Sequence, residues 1–489
     1  MDRKKDYTYL HALCLSALIF FVVFLKLGSF QMRWWDESMF AVNTYEMMHN
    51  GHYFSPHFNG APDICNTKPP LTSWFQIISV KIFGYNEMAL RLPSALAAAF
   101  SILILFLFIA RRYDKMLAWI SALVLLTSQG FITFHTARTA DADSLLTFFL
   151  LIANLYFLKF LLDEKRTDVL LFFIFITLAF ATKMYAALLF CPAYPVILLM
   201  QKKLKLFTLN IAFFSGILIF IFISAGMAYA REMAAPGYLN EVFFKDAGRV
   251  LHVVENHREA TLFYLDNLFA YRFAAWFILL IAGVVLSFFT SSKTEKKLLI
   301  SLSILSIVYL IIISASVTKL EWYDMPLFPL LSVMAAYPLF LLLKNFSFAG
   351  KPLSQKFCIL FIVAIFAFPY YTIFNRSQGN TLPNGQKKLE ANEAYLLKRG
   401  NEKMNLDGVK VYHKDYNGSL LFYKYKLAEK GQKIEICNTD NFSTNDKVLV
   451  CDDSLKALLN KTFECIIIDS YNNAQLMQLK AKREITPSN

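Results

Sequence analysis

The stretch Met32-Arg33-Trp34-Trp35-Asp36-Glu37-Ser38 follows directly on an apolar run at 9–30, and its reading decides the fold. A run of about twenty apolar residues is what a helix needs to cross the hydrocarbon core of a bilayer. An ionisable group at bilayer depth costs roughly 2.5–3.5 kcal/mol on insertion scales. An Asp-Glu pair at the edge of such a run therefore marks a membrane boundary lined by water or protein. Further along come Lys68-Pro69-Pro70 and then Arg91-Leu92-Pro93, which opens the next apolar run.

Outward from this stretch the pattern repeats. Of 489 residues, 56% are hydrophobic and 17% charged, whereas soluble domains carry about 25% charge. Apolar runs at 9–30, 90–110, 116–135, 144–162, 168–182, 185–200, 206–229, 271–290, 298–317, 324–343 and 357–374 predict about eleven spans. The first run is too long for a signal-peptide core and has no small-residue cleavage site, so it reads as a retained helix. The net charge of +13 sits in short loops between runs, among them Arg111 to Lys115, Glu164-Lys165-Arg166, Lys202 to Lys205, Lys293 to Lys297 and Lys344 to Lys356. That is the positive-inside pattern. It argues for lipid headgroups as partners and against nucleic acid. It also sets the N-terminus in the cytoplasm and puts Asp36, Glu37, Lys68, Arg138, Asp143, Lys183, Lys319 and the 230–270 loop on the opposite, extracytoplasmic face.

Residues 38–50 carry loosely helical apolar spacing and stop at Asn50-Gly51, which predicts a helix, either lying on the membrane surface or an ordinary helix within the loop. Past residue 375 the composition changes. Gln378-Gly379-Asn380 and Pro383-Asn384-Gly385 mark a linker. Short β-rich runs at 409–412, 433–437, 447–451 and 463–469 alternate with helical segments near 416–430 and 452–461. The expected architecture is a polytopic α-helical membrane domain over 1–375, with outer loops 31–89 and 230–270, and a small α/β domain over 376–489 outside the membrane. Cys437, Cys451 and Cys465 leave a disulfide open, and no cysteine has metal-ligand spacing.

Trp35-Asp36-Glu37, Asn59-Gly60, Lys68-Pro69-Pro70-Leu71, Phe83-Gly84, Glu87 and Arg91-Leu92-Pro93-Ser94 together resemble the first outer loop of bacterial family 39 and 83 glycosyltransferases. These include protein O-mannosyltransferases and the lipid A aminoarabinose transferases. The resemblance continues through Arg138 and Asp143, Thr182-Lys183, Arg249 with His257-Arg258, and Lys319-x-x-Trp322-Tyr323-x-x-Pro326. It covers about residues 8–345 and implies the GT-C membrane fold and a polyprenyl-phosphate sugar as donor.

The chemistry that this resemblance implies explains the residue types. The leaving group is a lipid phosphate, which gains negative charge as the C1–O bond breaks. Fixed cations at Lys183, Arg249 and Lys319, with Tyr323 and Arg138, suit that charge. Asp36 suits the general base for the acceptor hydroxyl, in an inverting single displacement, with Glu37 orienting acceptor or loop. Asp143 is a second acid, expected to hold the acceptor or pair with Lys68. The family often has Asp or Glu before the Lys of Lys-Pro-Pro; here it is Thr67. Of the acid–His pair suited to a metal only His257 remains, with Asp63 as a substitute, so no cofactor is required and a divalent metal is left open. The acceptor class is a cell-envelope lipid or glycan, or protein Ser/Thr, at the outer face of the cytoplasmic membrane. Asp141-Ala142-Asp143 resembles the DxD of nucleotide-sugar enzymes, a reading rejected because it falls on the outer face. The rival class is a transporter or flippase of lipid-linked sugars, which would place its site at the bilayer midplane, often between repeated halves. The charges here lie at one face and no repeat is visible.

Overall fold

The computed structural model describes residues 8–133, 135–254, 256–347, 352–378 and 387–483. The expected linker lies outside these apart from Gln378. Two compact units make up the chain: Met1–Lys26, Ile64–Thr72 and Leu92–Gly379 in one, Leu27–Asp63, Ser73–Arg91 and Asn380–Asn489 in the other.

Among the described residues seven helices are long and apolar enough to cross a membrane. The count is eight if the pair Phe263–Arg272 and Ala274–Phe289, bent by 89°, forms one span. The runs expected at 9–30 and 116–135 form shorter apolar helices, Thr8–Phe24 and Lys115–Leu126. The second ends where Thr127 and Ser128 donate their hydroxyls back to the carbonyls of Leu123 and Val124, local bonds that compete with continued helix. The runs at 168–182 and 185–200 become the helix Arg166–Lys183, a 3-10 turn at Met184–Leu188 and a short helix at Ala193–Met200.

Helix starts in the first unit follow capping chemistry. Asp114 accepts from the amides of Met116 and Leu117, Asn210 from Phe213, and Ser292 from Glu295. Small residues set close approaches: a Cβ on Gly283 would lie 1.9 Å from the Met334 carbonyl oxygen, so the helices Phe277–Phe289 and Phe328–Ser347 meet backbone to backbone there.

The second unit joins the segments 27–63 and 73–91, which follow the first apolar helix, to the C-terminal segment. Its sheet runs in the order Glu435–Cys437, Val409–Tyr412, Lys447–Val450, Ala474–Lys482, Phe463–Tyr471. The first three strands are parallel and the last two pair antiparallel. Tyr412, Val448, Val450, Leu455, Leu459, Met477 and Leu479 form the core between sheet and the helix Asp453–Thr462. All seven cysteines are free thiols, Cys437, Cys451 and Cys465 included.

The helix expected over 38–50 spans Asp36–Asn50 and ends at Gly51, which takes φ 72° as a left-handed cap. Most of its residues are buried, because the helix Gly418–Ala428 packs on it and because its polar groups find partners within the unit. Thr44 donates to Gln76, Tyr85 to the Ala41 carbonyl, and Tyr425 to Glu46. Glu87 fastens the same assembly, accepting from Tyr423 at 2.9 Å, Lys398 at 3.1 Å and Lys426 at 2.5 Å.

Candidate functional site

In the first unit a chain of charged and aromatic groups runs through four of the expected residues. Asp143 opens the helix Asp143–Asp163, and Lys183 closes Arg166–Lys183. The Lys183 amine donates to both Asp143 oxygens, at 2.7 and 2.9 Å. It also sits 5.0 Å from the centroid of the Tyr323 ring, a cation–π contact. The Arg249 guanidinium donates to the Tyr323 hydroxyl. Arg249, Asp246, Lys68 and Asp143 all act electrostatically on the Tyr323 phenol, so Lys68 belongs to the same neighbourhood. Asp143, expected to hold the acceptor or pair with Lys68, takes the Lys183 amine on both carboxylate oxygens.

Backbone bonds hold the loop around Arg249 to the segment before Tyr323. Val317 and Thr318 amides donate to the carbonyls of Val250 and Arg249, and the Lys319 amide donates to His257 at 3.0 Å. Arg258 and Thr318 form an antiparallel bridge. Arg249, His257 and Lys319 therefore ride on one paired segment. The Lys319 amine donates to the Glu259 carbonyl at 3.1 Å. Burial holds that amine below the usual lysine range, against the opposing pull of the Glu259 carboxylate. Among the described residues, His257 belongs to no cluster of three metal-ligating groups.

The backbone of the Lys-Pro-Pro turn is gripped by residues that sequence reading passed over. Arg231 donates to the carbonyls of Asn66 and Lys68, and Tyr238 donates to Thr67 at 2.8 Å. The Arg231 guanidinium lies 4.4 Å from the Tyr238 ring centroid. Arg231 is the first basic residue after a long apolar run, a signal readable as a span boundary but not as a loop anchor.

Arg138, named with the phosphate cations in the sequence analysis, is buried and donates to the carbonyls of Val22, Val23 and Leu25 where the first helix ends. Those carbonyls have no intrahelical partner, and the guanidinium fork caps them. Close by in sequence, His135 and Asp141 form a pair that the sequence reading missed. Their nearest N and O atoms are 3.1 Å apart, and the imidazole stacks on Trp322 with centroids 3.8 Å apart. Nothing in the spacing of His135 distinguishes it from a loop histidine.

In the second unit Asp36 is the first residue of its helix, half-buried, preceded by Trp35 at φ 68° and ψ −115°. Glu37 faces inward and is bound by Arg91 through two contacts of 2.7 and 2.9 Å. Arg91 directs its remaining donors to the carbonyls of Leu27, Phe30 and Gln31. Burial pushes the Glu37 carboxyl up, but the Arg91 guanidinium and the Arg33 amide outweigh it and bring it down to about 2. Of the two roles expected for Glu37, this geometry fits the orientation of the loop and not of an acceptor.

Residues 67–229 match the family model described as dolichyl-phosphate-mannose-protein mannosyltransferase. A protein of Aquifex aeolicus is 27% identical over 324 residues, 65% of this chain and 62% of the relative; the chain thus spans less than two thirds of that relative's length. An undecaprenyl phosphate-alpha-4-amino-4-deoxy-L-arabinose arabinosyl transferase of Aeromonas hydrophila is 26% identical over 389 residues, 74% of this chain and 68% of the relative. The crystal structure of ArnT from Cupriavidus metallidurans bound to undecaprenyl phosphate superposes with a TM-score of 0.69 at 15% identity, over 97% of this chain and 98% of that one. At that identity the likeness establishes the fold. The chain has the GT-C membrane fold of that structure, and its sequence is similar to the mannosyltransferase and aminoarabinose transferase types over the residues given.

Proposed function

We propose that this protein is an inverting glycosyltransferase that moves a sugar from a polyprenyl phosphate onto an acceptor of the cell envelope, at the outer face of the cytoplasmic membrane. The observation that carries the reading is the Asp143–Lys183–Tyr323–Arg249 chain. It holds two cations in fixed positions with their partners already in place, as stabilisation of a developing phosphate charge requires. Lys319 and Lys68 add positive charge from neighbouring segments. The acceptor oxygen attacks C1 of the sugar, the C1–O bond to phosphate breaks, and the acceptor's proton passes to Asp36. Polyprenyl phosphate leaves as an anion without needing a general acid. The relative named for an undecaprenyl-linked aminoarabinose and the fold shared with an undecaprenyl phosphate complex support this donor class. The basic loops support a cytoplasmic N-terminus.

The test is transfer by the pure protein in proteoliposomes, supplied with synthetic undecaprenyl-phosphate sugars and an envelope lipid extract. The expected result is release of undecaprenyl phosphate, together with a sugar-sized mass gain on the acceptor and inversion at C1. Donor that crosses the bilayer with its phosphodiester intact would contradict it and support a flippase.

A further inference from the structure

We propose that the C-terminal domain positions the general base of the transfer reaction, and that Tyr416 is the residue through which it acts. The inference rests on the reading of Asp36 as general base. It starts from Trp35. A bulky non-glycine residue at φ 68° occupies backbone space that costs on the order of 1–3 kcal/mol and persists only where its surroundings over-determine it. The torsions of Trp35 set the direction in which the helix, and Asp36 with it, leaves the loop.

The surroundings that fix Trp35 come from the far end of the chain. The Tyr416 hydroxyl donates to the Trp35 carbonyl at 3.1 Å and lies 3.1 Å from the Ser38 hydroxyl. Ser38 donates to the same carbonyl at 3.0 Å, and so does the Met39 amide at 2.8 Å. The carbonyl that starts the helix is therefore held from three sides. The Tyr416 ring packs against Trp34, Trp35 and Phe58, with centroids 5.6, 4.8 and 5.6 Å away. Behind it, His413 anchors the Tyr416 carbonyl at 3.0 Å and is itself fixed by Glu393 at 2.9 Å. Glu390 receives the Ser419 amide at 2.8 Å on the other side of the turn.

Gly418 makes this arrangement specific. A Cβ there would fall 2.3 Å from the Tyr416 hydroxyl oxygen and 2.7 Å from the Ser38 oxygen. Only glycine lets the tyrosine hydroxyl reach both partners. Packing alone would not require the hydroxyl, the serine and the glycine to meet at one carbonyl; holding that carbonyl would.

The experiment uses the full chain in nanodiscs, with Tyr416→Phe, Gly418→Ala, Asp36→Asn and, as a control elsewhere in the same domain, Tyr395→Phe. Tyr416→Phe keeps the ring and the fold and removes only the hydroxyl. It and Gly418→Ala are expected to lower kcat by about ten- to a hundredfold with KM for donor unchanged, and to raise amide exchange over residues 35–40. Tyr395→Phe is expected to change neither. Wild-type kcat in both Tyr416→Phe and Gly418→Ala, while Asp36→Asn is inactive, overturns this inference and leaves the glycosyltransferase reading intact. Faster exchange over 35–40 with unchanged kcat also overturns it, reducing Tyr416 to a structural brace. Wild-type transfer by Asp36→Asn removes the reading on which the inference rests.

Discussion

Glu37 with Arg91 in one unit and Asp143 with Lys183 in the other are both carboxylate–cation pairs at the ends of helices. The first has side chains 1% and 1% exposed, the second 5% and 13%. Arg91 places every arm of its guanidinium on Glu37 or on backbone carbonyls, so the pair is closed and can only hold structure. Lys183 is a point charge whose other neighbour is the face of Tyr323, which in turn takes Arg249. A lysine is suited to release or share its charge with an incoming anion, where a saturated arginine fork is not. On the proposed function, the difference separates acidic and basic residues of similar sequence appearance into those that build the loop and those placed to meet the donor phosphate.

The comparison breaks most sharply at Arg91. Arg91→Ala leaves Glu37 buried without its cation and is expected to cost about 3–5 kcal/mol of stability, read as a lowered thermal midpoint in detergent. Lys183→Ala is expected to leave that midpoint close to wild type and to lower kcat on the order of 10²–10³-fold, as removal of one preorganised charge contact does. If the two variants exchanged these effects, the division between closed and open pairs would be wrong.

Two carboxylates of the second unit sharpen it through pH. The Glu37 carboxyl drops from 4.5 to about 2, so its stabilisation is complete above about pH 4.5 and is lost as pH falls through about 2. Glu390 is the reverse: burial, opposed by Ser419 and His413 and reinforced by Glu393, raises it from 4.5 to about 7. Its contribution is fully present below 4.5 and is lost as pH rises through about 7. Unfolding followed across this range is expected to show stability falling between those two values, and Glu390→Gln to flatten that slope. A smaller effect is expected at Tyr323→Phe, which keeps the ring under Lys183 and loses one hydrogen bond to Arg249, about 0.5–1.5 kcal/mol, or a severalfold loss in transfer rate. The smallest is Arg112→Ala, a partly exposed pair with Asp163, expected to change stability by less than about 1 kcal/mol.

Most of the helical architecture could be read from the sequence, because twenty-residue apolar runs and basic loops are dictated by the bilayer itself. The stop at Asn50-Gly51 was equally plain, since Gly51 supplies the left-handed cap. The strand Ala474–Lys482 was not, because its alternating polar residues read as loop until Lys447–Val450 and Phe463–Tyr471 pair with it. The helix Lys387–Lys403, mostly polar, escaped for the same reason. The resemblance singled out Asp143, Lys183, Arg249 and Tyr323 by their order and spacing, and the structure joins them in one chain of contacts. The sequence could not tell Arg138 or Glu37 from ligands, because a charge in a sequence does not declare its partner: carbonyls at a helix end for one, Arg91 for the other. His135 with Asp141, and Tyr416 with Trp35, depend on contacts between residues that no local pattern links.

The account is tested most directly by measuring donor binding and single-turnover transfer side by side for wild-type protein and Asp36→Asn in nanodiscs. It predicts equal affinity for an undecaprenyl-phosphate sugar and a transfer rate lower by about 10²–10⁴-fold in the variant, the worth of a general base. Transfer at the wild-type rate with Asp36 neutralised would contradict it.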